Sequence, residues 1–552
     1  MVRSDGLKTI FAEPRHAKPL EEGSVPKVLV SDSLASEGLQ IFEDAAGFEL
    51  VNSPGLPAEE LLEHVSDVDG LVIRSATQVT AEVIEAAPKL RIIGRAGIGL
   101  DNVDIDAATA RGIVVVNTPK GNNITTAEHA LALLVSLARH IPQATASMKA
   151  GRWDKKSFQG LELYNRTLGV LGLGNIGRVV ADRARGLGMR VLAYDPFIPV
   201  EVAQKQDLEL AELSEVLSRA DAITVHVPRT KETVGLLNAS AFEKMKDGVL
   251  IINAARGGII DEQALLNALE SGRVGGAGLD VFEEEPPGLD DPLVMNEKVI
   301  CTPHLGASTE QAQINVAIAV AEQVRDHLSE GVVRNAVNLP SLSPEMLEQL
   351  KPSILLAEKL GSFQGQLAGS PVEDVEIEYA GEVSEYDVTA MTLAVLKGLL
   401  APTSEDVNLV NAPVIASDRG IKVIESKTSR SQDFASVITT RVRTRDGMHL
   451  IAGAIFHGVQ PRIVRIDDVM LEAIPEGPTI FLKNHDEPGV VGTIGSVLGQ
   501  DGVNISRMQL GLIPERSEAA MLVNVHPAPS DAALNHLRSL SAVIEARLVD
   551  LG

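Results

Sequence analysis

From Lys27 onward, short apolar bursts alternate with stretches of helical period. Val28-Leu29-Val30 precedes a helical stretch from Leu34 to Ala45, Gly70 to Ile73 precedes Ala81 to Ala87, and Leu90 to Ile93 and Ile113 to Val116 follow. Short apolar runs bounded by polar turns read as buried strands, and helices between them make a parallel α/β unit. A long helix over Thr125 to His140 comes next, its Thr125-Thr126-Ala127-Glu128 start offering a hydroxyl cap and a first-turn acid. A second alternation predicts strands at Leu168 to Leu171, Arg190 to Tyr194, Ala222 to Val225, Val249 to Ile252, Gly278 to Val281 and Val299 to Cys301. That order fits a doubly wound sheet. The next long helix, about Ser308 to Leu328, would carry the chain back to the first unit. The first domain is then discontinuous, with two crossing helices as a hinge and a cleft between the sheets.

Beyond Gly331, the segment from Asn338 to Pro344 reads as a linker. Residues 345–475 predict an α+β module, with helices near Met346 to Leu367 and Val388 to Leu400. Its strands fall at Val437 to Arg443, His449 to Phe456 and Arg462 to Ile466. The last segments, Thr479 to Asn484, Gly489 to Gly499, Ile505 to Leu512, Ala519 to Val525, Asp531 to Leu540 and Val543 to Val549, alternate as βαββαβ, a ferredoxin-like pattern. The expected division is a disordered leader over 1–26, a first α/β domain over 27–121 and 306–337, a second over 122–305, a middle module over 338–476 and a C-terminal module over 477–552.

Composition narrows the class. The length of 552 residues suits several domains, and a net charge of −26 without a basic, aromatic-laced run argues against nucleic acid. No apolar stretch is long enough for a membrane span, the best being Ala130 to Ala138 with His129 and Arg139 beside it. A single cysteine, Cys301, excludes an intrachain disulfide and a Cys-rich metal site, and suits a reducing cytoplasm. Its place in a strand predicts burial. No metal is expected.

The chemistry begins at Gly172-Leu173-Gly174-Asn175-Ile176-Gly177, after a strand and before a helix, with Asp195 closing the next strand. Gly172 would permit the tight turn, Gly174 the approach of backbone N–H groups to a pyrophosphate, and Gly177 close helix packing. Asp195 can accept from a ribose 2′-hydroxyl and repels a 2′-phosphate, so the expected cofactor is NAD, not NADP. Three polar segments end later strands: Asn253 to Gly258, Asp280 to Pro287 and Thr302 to Gly306. One Arg, one carboxylate and one His there suit oxidation of a 2-hydroxy acid. His304 would take the hydroxyl proton, Glu285 would fix the imidazole's tautomer, and Arg256 would clamp the substrate carboxylate. Each has a plainer alternative: a satisfied histidine, a solvated acidic turn, a helix-capping or phosphate-binding arginine.

The segments Gly172 to Gly177, Asn253 to Asp261, Asp280 to Pro286 and Pro303 to Ser308 resemble the D-isomer-specific 2-hydroxyacid dehydrogenase family over about residues 27–335. The resemblance implies a Rossmann cofactor domain inserted in a flavodoxin-like substrate domain, with Arg256, Glu285 and His304 as the catalytic set. It also implies Asn175, Ile176, Val227, Pro228, Ala254, Arg256, Asp280 and His304 as further cofactor contacts. With the two added modules, the chain resembles the long members that oxidise 3-phosphoglycerate to 3-phosphohydroxypyruvate, the first step of serine synthesis. There the middle module is an allosteric substrate-binding domain and the last an ACT domain. Leu71 to Thr77 and Gly94 to Asp104 are similar to their substrate loops. Arg74 and Ser75 would hold the phosphate and the Ala96 and Gly97 N–H groups the carboxylate. Where some relatives carry a second Arg this chain has Ala76, which leaves Arg95 or a partner subunit's Lys155 and Lys156 to supply the cation; a solvated loop is the other reading of that pair. The turn from Asn484 to Gly492 with Gly502 to Ile505 resembles an ACT serine site, anchored by Asn484, Asp486 and Asn504, or else is a plain helix start. A shared site implies a homodimer or homotetramer. Lys422, Lys427 and Arg430 suit an anionic ligand or a solvated loop. Glyoxylate or hydroxypyruvate reductase and a NAD-sensing protein on the same fold remain the other readings.

Overall fold

Strands whose residues are buried on both faces form the centres of two parallel sheets, as the run of Val, Ile and Leu requires. The computed structural model describes residues 25–199, 203, 205, 208–288, 290–340, 344–404, 407–431 and 433–552, so all but the last two residues of the expected leader and part of the expected linker lie outside the described residues. The first sheet joins β1 (Lys27–Val30), β2 (Glu49–Asn52), β3 (Gly70–Ile73), β4 (Ile92–Arg95) and β5 (Val114–Val116) in the order β2-β1-β3-β4-β5. That is the flavodoxin-like order. β2 escapes the sequence pattern because Leu50 and Val51 are its only apolar residues.

The second sheet joins β6 (Thr167–Leu171), β7 (Arg190–Tyr194), β8 (Glu209–Leu210), β9 (Ala222–Val225), β10 (Val249–Asn253), β11 (Val274–Leu279) and β12 (Val299–Cys301). Its order, β12-β11-β10-β9-β6-β7-β8, puts the chain reversal between β6 and β9, where a doubly wound sheet opens a crevice at its carboxyl ends. Cys301 is a correction: it is exposed, because β12 is an edge strand.

Two helices connect the sheets. The first hinge helix runs Asn123–Ala138, two residues ahead of the expected start, so its first turn carries no acid, and a left-handed His140 (φ 52°) follows it. The second, Glu310–Glu330, is capped by Thr309 and packs Val316, Val320, Val324 and Leu328 on Val28, Val30, Val72 and Ile92 of the first sheet. Gly94 admits it: a Cβ there would lie 2.7 Å from Val320. The chain thus returns to the first sheet after leaving it.

The middle module's sheet has β13 (Val372–Gly381), β14 (Lys422–Thr428), β15 (Ser436–Thr444), β16 (Gly447–Phe456), β17 (Gln460–Ile466) and β18 (Val469–Ala473), ordered β14-β13-β15-β16-β17-β18. β13, β14 and β18 were not expected, and Lys422 and Lys427 belong to an edge strand, not a loop. The last sheet has β19 (Pro478–His485), β20 (Asn504–Ile513), β21 (Glu518–His526) and β22 (Val543–Asp550), antiparallel in the ferredoxin-like order β20-β21-β19-β22. One of its faces carries its own helices; the other packs on the middle module's helix Pro344–Leu367, with Phe481 edge-on to Phe363 at 6.0 Å. Asn408 Nδ2 ties the middle module to the first domain, donating to Gly112 O at 3.0 Å.

Candidate active site

The glycine turn shows three separate uses of a missing side chain. Gly172 has φ 94° and a Cβ on it would lie 2.6 Å from His226 O; Gly177 would place one 1.9 Å from Gly172 O; Gly174 faces open space before the helix Asn175–Gly186. Turn, packing and ligand approach are thereby divided among them, and a dinucleotide's phosphates fit the cradle at Gly174 and that helix start. Asp195 Oδ2 accepts from Leu173 N–H at 2.8 Å and Oδ1 from Phe197 N–H at 2.9 Å, so the carboxylate is fixed beside the turn with lone pairs left for a ribose hydroxyl.

A cleft of about 490 Å³ runs from this turn to the first domain, lined by Gly174, Asn175, Ile176, Val227, Pro228, Ala254, Arg256, Asp280 and His304 among others. His304 Nδ1 lies 2.7 Å from Glu285 Oε2, while Glu285 Oε1 accepts from Phe282 N–H at 3.1 Å. A carboxylate only accepts, so the imidazole proton sits on Nδ1 and Nε2 is the basic atom. Arg256 reaches across the cleft to Asp101, Nε to Oδ2 at 2.8 Å, and its loop is braced by Asn253, whose amide bonds Arg256 O and Ala255 N–H. Asp280 is buried at 1% exposure. Burial alone would raise its pKa, but His129, Thr302 and Leu305 N–H outweigh it and hold the carboxyl below the usual range.

The first-domain loops differ in part from expectation. Arg74 Nη1 donates to Ser33 O at 3.0 Å, Ser75 is exposed, and neither is among the cleft-lining residues. The Ala96 N–H donates to Ile73 O at 2.8 Å and the Gly97 N–H to Arg95 O, two residues back, at 2.9 Å. Glycines instead admit two guanidinium groups. A Cβ at Gly97 would coincide with Arg95 Nη1 at 1.7 Å and one at Gly99 with Arg256 Nη2 at 1.6 Å. Arg95 lines the cleft; burial first, then Arg256, push its pKa down to about 10, so it stays cationic at neutral pH. Lys155 and Lys156 lie exposed in a short turn.

Sequence reasoning passed over His226, Arg229, Asp101, Thr126 and His129. His226 lines the cleft with Nε2 2.9 Å from Thr224 Oγ1, and burial pushes its pKa down to about 4. Thr126 and His129 were legible as polar positions, with Asn122, at i, i+4 and i+7 on a helix otherwise rich in Ala and Leu.

At the C-terminal turn Asn484 is 2% exposed, donates to His485 O at 2.7 Å and leaves its Oδ1 buried without a partner. Asp486 and Asn504 are exposed, and the helix Val490–Gln500 begins at a left-handed Gly489 with no side-chain cap. Among the described residues no group of His, Cys, Asp and Glu could hold a metal, and no helix is long and apolar enough to cross a membrane.

Comparison with known proteins agrees with this geometry. The family model for the D-isomer specific 2-hydroxyacid dehydrogenase NAD binding domain matches residues 131–306, and that for the D-3-phosphoglycerate dehydrogenase intervening domain matches residues 349–467. A D-3-phosphoglycerate dehydrogenase of Synechocystis is 44% identical over 96% of this chain and 95% of its own. Among solved structures, the NAD+-bound 3-phosphoglycerate dehydrogenase of Entamoeba histolytica is 30% identical over 58% of this chain and 100% of its own, with TM-score 0.50. A glyoxylate reductase from Paecilomyes thermophila, also 30% identical, covers 57% of this chain and 98% of its own, with TM-score 0.53. The chain belongs to the D-3-phosphoglycerate dehydrogenase family, NAD-dependent oxidoreductases of the D-isomer-specific 2-hydroxyacid class.

Proposed function

We propose that the cleft oxidises 3-phosphoglycerate to 3-phosphohydroxypyruvate, opening serine synthesis, and that His304, Glu285 and Arg256 carry the chemistry. The observation that supports this most is the 2.7 Å His304–Glu285 pair, set between the glycine turn and two guanidinium groups. His304 Nε2 takes the proton of the substrate hydroxyl. Glu285 stabilises the imidazolium that results, at the cost of no rearrangement. Arg256 holds the substrate carboxylate and polarises the oxygen on the adjacent carbon. NAD, when bound, accepts the hydride. Arg95, cationic and in the cleft, is the cation for the substrate phosphate that Ala76 does not supply; Arg74 and Ser75 stand at the edge of the same loop and would need to turn inward.

The finer reading is that serine inhibits, held at the C-terminal turn by Asn484, Asp486 and Asn504. The unpartnered Asn484 Oδ1, and the uncapped helix start six residues further along the chain, favour a ligand with both ammonium and carboxylate. The exposed Leu510 and Leu512 on edge strand β20 suit a second copy of the chain, a homodimer or homotetramer that would complete the site. A cytoplasmic setting suits the single free cysteine. The test is NADH oxidation by the purified protein with phosphohydroxypyruvate against hydroxypyruvate, each with and without serine. Preference for the phosphorylated substrate with serine inhibition is expected. Preference for hydroxypyruvate would make it a reductase of the glyoxylate type, and unchanged rates with serine would remove the regulatory reading.

A further inference from the structure

The polar face of the first hinge helix meets the loop that carries His304. Thr126 Oγ1 donates to Gly306 O at 2.9 Å, and Thr125 Oγ1 lies 3.2 Å from Thr309 Oγ1. One turn further on, His129 Nε2 lies 3.0 Å from both Asp280 Oδ1 and Thr302 Oγ1. Thr302 already donates its hydroxyl proton to Asp280 Oδ1 at 2.5 Å, and a carboxylate only accepts, so His129 carries its proton on Nε2 and shares it between two acceptors.

Asp280 is a clamp on the catalytic loop. Its Oδ1 accepts from Leu305 N–H at 2.7 Å, its Oδ2 from Gly306 N–H at 2.8 Å and its backbone carbonyl from His304 N–H at 3.0 Å. Between those bonds His304 sits at φ 53°, a left-handed conformation that a side chain adopts only when its surroundings hold it there. Among the described residues, the other side-chain and N–H donors to the Asp280 carboxylate all belong to the 302–306 loop itself. Among the described residues, His129 is the one side chain of the hinge helix that bonds that carboxylate.

We propose that His129 is a positioning residue for the dehydrogenase reaction: through Asp280 it fixes the left-handed turn that aims the His304 imidazole, and it couples that aim to the hinge helix. The inference rests on His304 as the acid–base residue. Removing the N–H leaves the loop's own bonds to Asp280 intact, so the expected loss is one of alignment, for which a displacement of about 1 Å costs on the order of 100-fold in rate.

The experiment compares His129→Leu, His129→Gln and His304→Ala in the full-length protein, reading kcat and KM for phosphohydroxypyruvate, NADH affinity by fluorescence, and Tm. The amide of Gln can replace the Nε2–H donor; Leu cannot. Expected is a kcat for His129→Leu lowered by roughly 10–100-fold with KM, NADH affinity and Tm held, and most of the rate restored in His129→Gln. The proposal is overturned by a normal kcat in His129→Leu, by a Gln variant as slow as Leu, or by losses of NADH affinity or Tm that match the loss of rate. If His304→Ala also turns over normally, the acid–base reading fails and takes this inference with it; slow His304→Ala beside fast His129→Leu sinks the inference alone.

Discussion

In the cleft each side chain proposed to react is held from behind: Glu285 by Phe282 N–H, the Arg256 loop by Asn253, the His304 loop by Asp280. At the C-terminal turn the arrangement is reversed. Asp486 and Asn504 stand exposed, and Asn484 keeps a buried oxygen with no partner. Glu285, Arg256 and His304 are held before a ligand arrives, as electrostatic preorganisation requires, even though Arg95 Nε, Asn122 Oδ1 and His226 Nδ1 in the cleft lack partners; at the turn the Asn484 Oδ1 lacks one and the side chains of Asp486 and Asn504 stand in solvent. The proposed chemistry and the proposed regulation thus differ in how much of their geometry one chain determines.

The sharpest break would come at His304. His304→Ala should lower turnover by about 10²–10⁴-fold, the range of general acid–base catalysis, while NADH still binds, because the glycine turn and Asp195 are untouched. Steady-state rates beside NADH fluorescence check both halves, and near-normal turnover would show that the cleft's best-braced residue does no chemistry. Asp195→Ala comes next. Losing a hydrogen bond from a ribose hydroxyl to a charged group costs about 1.5–3 kcal/mol, roughly 10–100-fold in NAD affinity, and the NAD-to-NADP preference should shrink with it. An unchanged preference would place cofactor choice elsewhere.

The difference between the two regions also explains what the sequence made legible. Gly172, Gly174 and Gly177 announce their roles because each is fixed by short-range backbone geometry, and Arg256, Glu285 and His304 follow from strand ends that the apolar runs locate. Arg95 could be suspected but not placed, since its entry into the cleft depends on the gap at Gly97. The partners of the Ala96 and Gly97 N–H groups were likewise not legible: Ala96 N–H bonds Ile73 O at the end of β3, and Gly97 N–H bonds Arg95 O two residues back. In the middle module, β13 reads Val372-Glu373-Asp374-Val375-Glu376-Ile377-Glu378-Tyr379, a strict alternation from Asp374 onward hidden by its acidity, while β14 is too exposed to show any. His129 and Thr126 needed the fold, because the loop they hold is more than 150 residues away along the chain.

At the turn, the expected effects are smaller. If serine binds there, Asn484→Ala removes an acceptor for its ammonium and should weaken serine inhibition by about tenfold without changing the uninhibited rate, since no atom of Asn484 approaches the cleft. Inhibition curves for parent and variant decide it. Equal sensitivity would mean that the buried oxygen is a structural defect of the turn and that the comparison with the cleft overstates its purpose.

His327 is the control that separates those two meanings of an unpartnered polar group. It lies on the second hinge helix at 2% exposure with both ring nitrogens lacking hydrogen-bond partners, and it faces neither the cleft nor the turn. Burial, with Arg91 nearby, pushes its pKa down to about 3. In the unfolded chain an imidazole titrates near 6.5, so between these values the unfolded state binds the extra proton. Stability is therefore full above about pH 6.5 and falls as the pH drops toward 3, by about 1.4 kcal/mol per pH unit from this group. His327→Leu removes the titration. Its unfolding transition should match the parent's pH dependence above pH 7 and lose less at pH 5.5, with turnover and serine response unchanged at neutral pH. A parent and variant that decline in parallel through this range would show that the imidazole finds water or a partner on protonation. An altered serine response would instead make the hinge helix, and not the C-terminal turn alone, part of the regulatory path.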